Sequence, residues 1–321
     1  MHSFKELLQD FGSKFNIRHF PNEPATLYNS SQYILGLGGK RVRPVMCLMG
    51  NELFDDINPD AYRVATAIEL FHNFSLVHDD IMDKAPLRRG MPTVHAKYGE
   101  STALLAGDVM LIMCYEYLNK IDDLHKKRII GLFNKTALEV SEGQQLDMDY
   151  EKLKEVSLND YLQMIELKTS VLLGSSLKMG AIMGGASEGN INHLYDFGKN
   201  LGIAFQIQDD YLDAFGDPDK FGKQVGGDII ANKKTFLLIH TLEVAQEPLK
   251  NELLHLMETS PADKVQKVLA IMKACNADAW AMELKEKYLN RAMYHLEEIA
   301  VLSKRKEPLK ELAQFLVQRD H

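Results

Sequence analysis

Cysteine is scarce in this chain. Cys47, Cys114 and Cys275 are the only three in 321 residues, lie far apart and form no CxxC pair. That argues against a disulfide framework and a cysteine-based zinc site, and it fits a reducing compartment, so a cytoplasmic location is expected. An excess of positive charge is also lacking: the net charge of −8 speaks against the basic surface that nucleic-acid binding needs. The most apolar stretch, TALLAGDVMLIMCYEYL, is broken by Asp108, so it reads as a core helix and no stable membrane insertion is expected. The first residues, MHSFKELLQDFGSKF, carry acids that a signal peptide lacks and space Phe4, Leu7, Leu8 and Phe11 along one helical face. No strand-type alternation, dividing linker, Ser-His-Asp or Cys-His arrangement is evident, which leaves covalent catalysis without support. A hydrophobic share of 45% with 15 methionines supplies a sizeable, adaptable core. One all-α domain spanning 1–321 is expected, although the chain exceeds the usual single-core range of about 250–300 residues.

Acid, by contrast, is present in two matched places. In FSLVHDDIMDKAPLRRG, Asp79, Asp80 and Asp83 close a helical run and are followed by Arg88 and Arg89. A second copy of the D-D-x-x-D spacing appears in FQIQDDYLDAFGD, as Asp209, Asp210 and Asp213. Residues four apart share a helical face, so Asp79 and Asp83 project together with Asp80 beside them, and like charges so placed call for a cation. Carboxylates without Cys or His suit a hard ion such as Mg2+, which keeps waters and bridges substrate phosphates. Neither copy has the Gly and final Glu of an EF-hand loop. A single such cluster would fit a solvated acidic surface equally well; two, each after an apolar run, favour metal binding.

Cations flank both clusters. GGKRVRP joins glycines, which let backbone approach a ligand, to Lys40, Arg41 and Arg43, three cations within four residues. Taken alone this is more often a solvated turn than a phosphate site, and Pro44 fits the first turn of the next helix. His72 lies on the helical face of Asp79, roughly 10 Å upstream, and reads either as a core histidine or as a ligand-facing one. Ser157 and Asp160 form a capping box for a helix from Leu158 to Gly184, in which Lys168 and Thr169 interrupt an apolar run and Gly174 permits a kink. Gln206 precedes Asp210 by one turn. Lys223 lies in the loop GDPDKFGKQVGGD, and Lys233 is expected to begin the following helix. From Thr235 to His321 the pattern is helical without nameable chemistry.

Two unit charges 5 Å apart repel by about 3 kcal/mol at an effective dielectric of 20, so polyanions beside six aspartates require bridging cations. A metal clamp on a phosphate leaving group stabilises the charge that develops as its C–O bond breaks. At these residues the chain resembles the trans-isoprenyl diphosphate synthases of the polyprenyl synthetase family, through GGKRVRP, the block from His78 through LRRG, LGIAFQIQDDYLD, and the loop from Gly222-Lys223 through Asn232-Lys233. The resemblance implies a type I isoprenoid synthase fold, a helical bundle around a deep central cavity, and a homodimer. It implies that Asp79, Asp80, Asp83, Asp209, Asp210 and Asp213 hold Mg2+ on an allylic diphosphate contacted by Arg88, Lys168, Lys223 and Lys233. It places Lys40, Arg43, His72 and Arg89 on isopentenyl diphosphate, and Thr169 and Gln206 at the reaction centre. Met91, after Arg-Arg-Gly, departs from the family's usual Gly, Lys or His. The prenyl tail would run along the helix carrying Asp79, so Phe74, Ser75 and Phe71 are candidates for setting chain length. In the resembling family bulk at the fourth and fifth positions before the first aspartate blocks elongation; Phe74 with the smaller Ser75, and two residues rather than four between Asp80 and Asp83, resemble geranylgeranyl synthases, which implies a C20 product with C15 as runner-up. A terpene cyclase and a non-catalytic partner subunit are the competing readings; each is expected to have lost one of the two clusters.

Overall fold

Ser3 and Glu6 exchange capping hydrogen bonds and open α1 (Phe4–Phe15), whose Leu7 and Phe11 are buried as the spacing predicts. The computed structural model describes residues 1–153, 155–216 and 226–317. Two helices follow, α2 (Ala25–Gly36) and α3 (Val42–Glu52), the latter with Pro44 in its first turn. Asn58 accepts from Asp60 N (2.9 Å), and Pro59 occupies the first helical position, where a missing N–H costs nothing. These start α4 (Pro59–Met82), which is apolar on nearly every side and buried along most of its length.

The chain then makes a short antiparallel ribbon, β1 (Leu87–Arg88) with β2 (Met91–Pro92), which the sequence pattern did not lead one to expect. Arg89 (φ 53°) and Gly90 (φ 76°) are its two loop residues, and positive φ at both is the signature of a type I′ hairpin turn. After α5 (Val94–Tyr98) comes α6 (Glu100–Leu118), the helix read from sequence as a core element. One of its faces is buried through Ala103, Ala106, Met110 and Cys114, and Cys114 Sγ lies 3.2 Å from Ala67 O of α4. Its other face leaves Leu104, Leu105 and Ile112 at least half exposed, at 50%, 54% and 61%.

α7 spans Asp123–Lys152. The expected single helix from Leu158 to Gly184 is three pieces: α8 (Leu158–Ile165), opened by the predicted Ser157–Asp160 capping box, a π-helical turn (Glu166–Ser170), and α9 (Val171–Met183). The irregularity therefore falls at Lys168 and Thr169, not at Gly174, which sits inside α9. Ser170 Oγ donates to Ile165 O (3.3 Å), five residues back. α10 (Glu188–Phe215), α11 (Gly227–Ile230), α12 (Phe236–Val244), α13 (Leu249–Thr259), α14 (Lys264–Ala274), α15 (Ala277–Glu298) and α16 (Ser303–Val317) complete the chain. Lys233 does not begin a helix as expected; Thr235 is the N-cap of α12.

Two compact units are interleaved along the sequence. One comprises Met1–Phe133 with Ser176–Ile191, and the other Asn134–Ser175 with Asn192–His321. The chain passes between them inside α7, α9 and α10, so no linker marks the division. The first unit is built around α4 and α6; the second buries Tyr161, Phe197, Leu201, Phe236, Val268 and Leu296.

Candidate active site

In the first unit, the C-terminal turn of α4 carries Asp79 and Asp80, and Asp83 caps it, with Asp83 N on Asp79 O at 2.8 Å. Asp80, only 2% exposed, takes a two-pronged ion pair from Arg88: Nε to Oδ2 and Nη2 to Oδ1, both 2.8 Å. The ribbon delivers this arginine, and its turn sends Arg89 the other way, to donate to Gly38 O. Gly39 (φ 135°) lies directly beneath the Arg89 guanidinium, where a Cβ would fall 2.8 Å from Nη2. The two basic motifs of the first unit are thus one structure.

Arg41 is the third cation of GGKRVRP, beside Lys40 and Arg43. It adopts a left-handed backbone (φ 47°) and turns its guanidinium inward, onto Glu69, Leu35 O (2.6 Å) and the ring of Phe15. Glu69 is held in turn by Asn73 Nδ2 (2.8 Å). Arg43 Nη1 donates to His72 Nε2 at 3.3 Å. Burial, followed by the charges of Arg43, Arg89, Arg88 and Arg41, drives the His72 pKa well below its ordinary value, so the imidazole stays neutral and accepts. Two of these four arginines, Arg41 and Arg88, are themselves paired with Glu69 and Asp80.

The second unit holds the other cluster, on the last turns of α10. Asp210 is buried; Tyr161 Oη donates to its Oδ2 and Gln206 Nε2 to its Oδ1 (2.9 Å). Burial and then the charge of Asp228 raise its pKa to about 7. Thr169 Oγ1 donates to Gln206 Oε1 (3.4 Å), so the two expected reaction-centre residues meet. Lys168 Nζ sits 2.5 Å from Asp147 Oδ2. Here α7 comes against the π-helical turn at Gly143, where a Cβ would lie 2.2 Å from Lys168 N. Asp213 Oδ2 accepts from Asp228 N (3.0 Å), and Lys233 Nζ lies 3.9 Å from Asp228 Oδ1. Lys223 lies outside the described residues.

Both clusters therefore follow one plan. The second acid of each, Asp80 or Asp210, is buried and spends both oxygens on protein donors. Asp79, Asp83, Asp209 and Asp213 are less buried. Among the described residues no three His, Cys, Asp or Glu side chains close into a metal cage. An all-carboxylate set without a cage fits a hard divalent ion that takes its remaining ligands from water and phosphate.

Sequence reasoning missed Asp147, Tyr161 and Asp228, which buttress Lys168, Asp210 and Asp213. It also left open what surrounds the chain-length candidates. Phe71 stacks edge-on to Phe133 of α7 (5.3 Å), which meets Tyr115 of α6 (5.5 Å). Phe74 packs between Phe71 (5.5 Å) and His78 (4.7 Å), while Ser75 turns its hydroxyl back to His72 O (2.9 Å).

The family model described as polyprenyl synthetase matches residues 24–274. A geranylgeranyl diphosphate synthase of Saccharolobus solfataricus is 38% identical over 324 residues, 98% of this chain and 97% of that protein. A crystal structure of geranylgeranyl pyrophosphate synthase shares 42% identity and a TM-score of 0.94, with 99% of each chain covered. A polyprenyl synthase from Caulobacter crescentus CB15, crystallised with calcium and isoprenyl diphosphate, shares 25% identity and a TM-score of 0.87, covering 99% of this chain and 96% of that one. The all-α fold is thereby shared with solved prenyl synthases. Likeness of this extent, sustained over nearly the full length of both chains, makes this chain a member of the polyprenyl synthetase family.

Proposed function

We propose that this chain is a head-to-tail trans-prenyltransferase that condenses isopentenyl diphosphate with an allylic diphosphate and releases pyrophosphate. The observation that carries the reading is the repeated plan of the two aspartate clusters, each anchored by its middle acid and each accompanied by cations. Asp79, Asp83, Asp209 and Asp213 would hold Mg2+, which supplies neutralising charge for the departing diphosphate. Arg88, Lys168, Lys223 and Lys233 bind the allylic diphosphate, and their fixed charge favours heterolysis of its C–O bond. Lys40, Arg43, His72 and Arg89 hold isopentenyl diphosphate, with His72 neutral beside Arg43. The Thr169–Gln206 pair lines the point where the allylic carbon joins the isopentenyl double bond, before proton loss completes the elimination.

The product proposed is C20, in keeping with the names of the relatives. Phe71, Phe74, Tyr115 and Phe133 form an aromatic block upstream of Asp79, suited to stopping a growing tail. Incubation with both substrates and Mg2+ should release pyrophosphate only when both are present, and chromatography of the dephosphorylated product should show C20. Phe74→Ala should lengthen it. Pyrophosphate release from the allylic substrate alone would overturn the reading in favour of a cyclase.

A homodimer is part of the same proposal, supported by the exposed Leu104, Leu105 and Ile112 of α6. Ile112→Glu should convert the dimer to a folded monomer in analytical ultracentrifugation; a monomeric parent protein would refute it. A cytoplasmic location is likewise proposed, on the three free cysteines.

A further inference from the structure

Lys264 opens α14, outside every motif that the sequence reading singled out, and is only 4% exposed. Its Nζ donates to Asn232 Oδ1 (2.5 Å) and Ser260 Oγ (3.3 Å), both neutral. Among the described residues it makes no ion pair, and burial lowers its pKa. An ammonium covered by protein without a carboxylate partner is costly, so its two neutral acceptors are what hold it in place.

What it holds is the end of a loop. Asn232 has a left-handed backbone (φ 57°), and its N–H bonds Ile229 O (3.2 Å). Lys233 N, next in line, donates to Asp228 O (2.9 Å), and Asp228 N to Asp213 Oδ2 (3.0 Å). At the other end of the loop Val265, the neighbour of Lys264, packs on Gly226, where a Cβ would fall 2.5 Å from Val265 Cγ1. The first turn of α14 is thus the seat for both ends of the segment 226–233.

We infer that Lys264 is a positioning residue for the diphosphate site: by clamping the Asn232 amide it fixes the left-handed turn that keeps Lys233 and Asp228 in register with Asp213. This rests on the proposed role of Lys233 as a diphosphate contact. Lys264→Met, Asn232→Ala and the double variant should be compared with the parent enzyme in three measurements: Mg2+-dependent binding of inorganic pyrophosphate by calorimetry, steady-state kinetics, and Tm. Lys264→Met should keep or raise Tm, weaken pyrophosphate binding and raise the allylic KM by about tenfold, and leave the isopentenyl diphosphate KM unchanged. Asn232→Ala should reproduce these losses, and the double variant should be no worse than either single change. Parent-like pyrophosphate affinity in Lys264→Met, additive losses in the double variant, or a loss that tracks a lowered Tm would each overturn the inference. Should Lys264→Met fail to fold, Asn232→Ala decides by the same measurements. If the parent turns over its substrates and the variants match it, the positioning role alone fails. If the parent neither condenses the substrates nor binds pyrophosphate, the functional proposal fails and this inference with it.

Discussion

Asp79→Ala and Asp209→Ala should each lower kcat by on the order of 10²–10³-fold, the scale seen when one preorganised stabiliser of developing charge is removed. Each deletes a carboxylate from the less buried side of its cluster, and each should raise the Mg2+ concentration needed for half-maximal turnover. The neighbours supply the contrast. Asp80 and Asp210 are spent on Arg88 and on Tyr161 with Gln206, so Asp80→Asn and Asp210→Asn should leave the Mg2+ dependence unchanged while kcat falls less. Equal Mg2+ dependence in all four variants would contradict the division of labour within each cluster. Titration of turnover against Mg2+ reads it directly.

The largest effect on stability is expected at Glu69→Ala, at about 3–5 kcal/mol, the range for breaking a buried ion pair by deleting one partner. The Arg41 and Glu69 side chains are 8% and 3% exposed, and Asn73 Nδ2 also loses an acceptor. Removing both charges, as Arg41→Met with Glu69→Leu, should cost less than Glu69→Ala alone, because no uncompensated charge then remains buried. Denaturant unfolding of the variants measures both. A loss below about 1 kcal/mol for Glu69→Ala would place the pair among exposed bridges and contradict its burial.

The features legible in the sequence were those carried by local spacing. α1, α4 and α10 follow from apolar periodicity, and the Ser157–Asp160 cap from two residues at the right distance. The aspartate clusters were legible as clusters. Which donors would claim Asp80 and Asp210 was not legible, because Arg88 reaches Asp80 across the ribbon and Tyr161 reaches Asp210 through tertiary packing. Arg41 could not be separated from Lys40 and Arg43 by composition, since a single left-handed residue decides which way it turns. The ribbon escaped notice because its loop is Arg-Gly rather than the Asn-Gly or Asp-Gly that advertises a type I′ turn. Lys264 has no local signature at all: its significance lies wholly in what it touches.

The π-helical turn at Glu166–Ser170 places a limit on how this stretch of chain can change length. A regular helix advances about 100° per residue, and a π-helical turn absorbs one surplus residue by spreading over five residues the rotation that four would otherwise cover, so the helix beyond it keeps its phase. Deleting one residue there would restore ordinary α-helical periodicity and leave the residues from Val171 on in phase with Tyr161, whereas a further insertion would rotate them by about 100°. The buried Val171, Leu172, Leu173 and Leu177 would then lose their seats together. Substitutions of Lys168 or Thr169 would act on the proposed diphosphate site, whereas an insertion at the same positions threatens the fold. In a mutational library this segment should accept changes of residue type and the loss of one residue, and reject insertions.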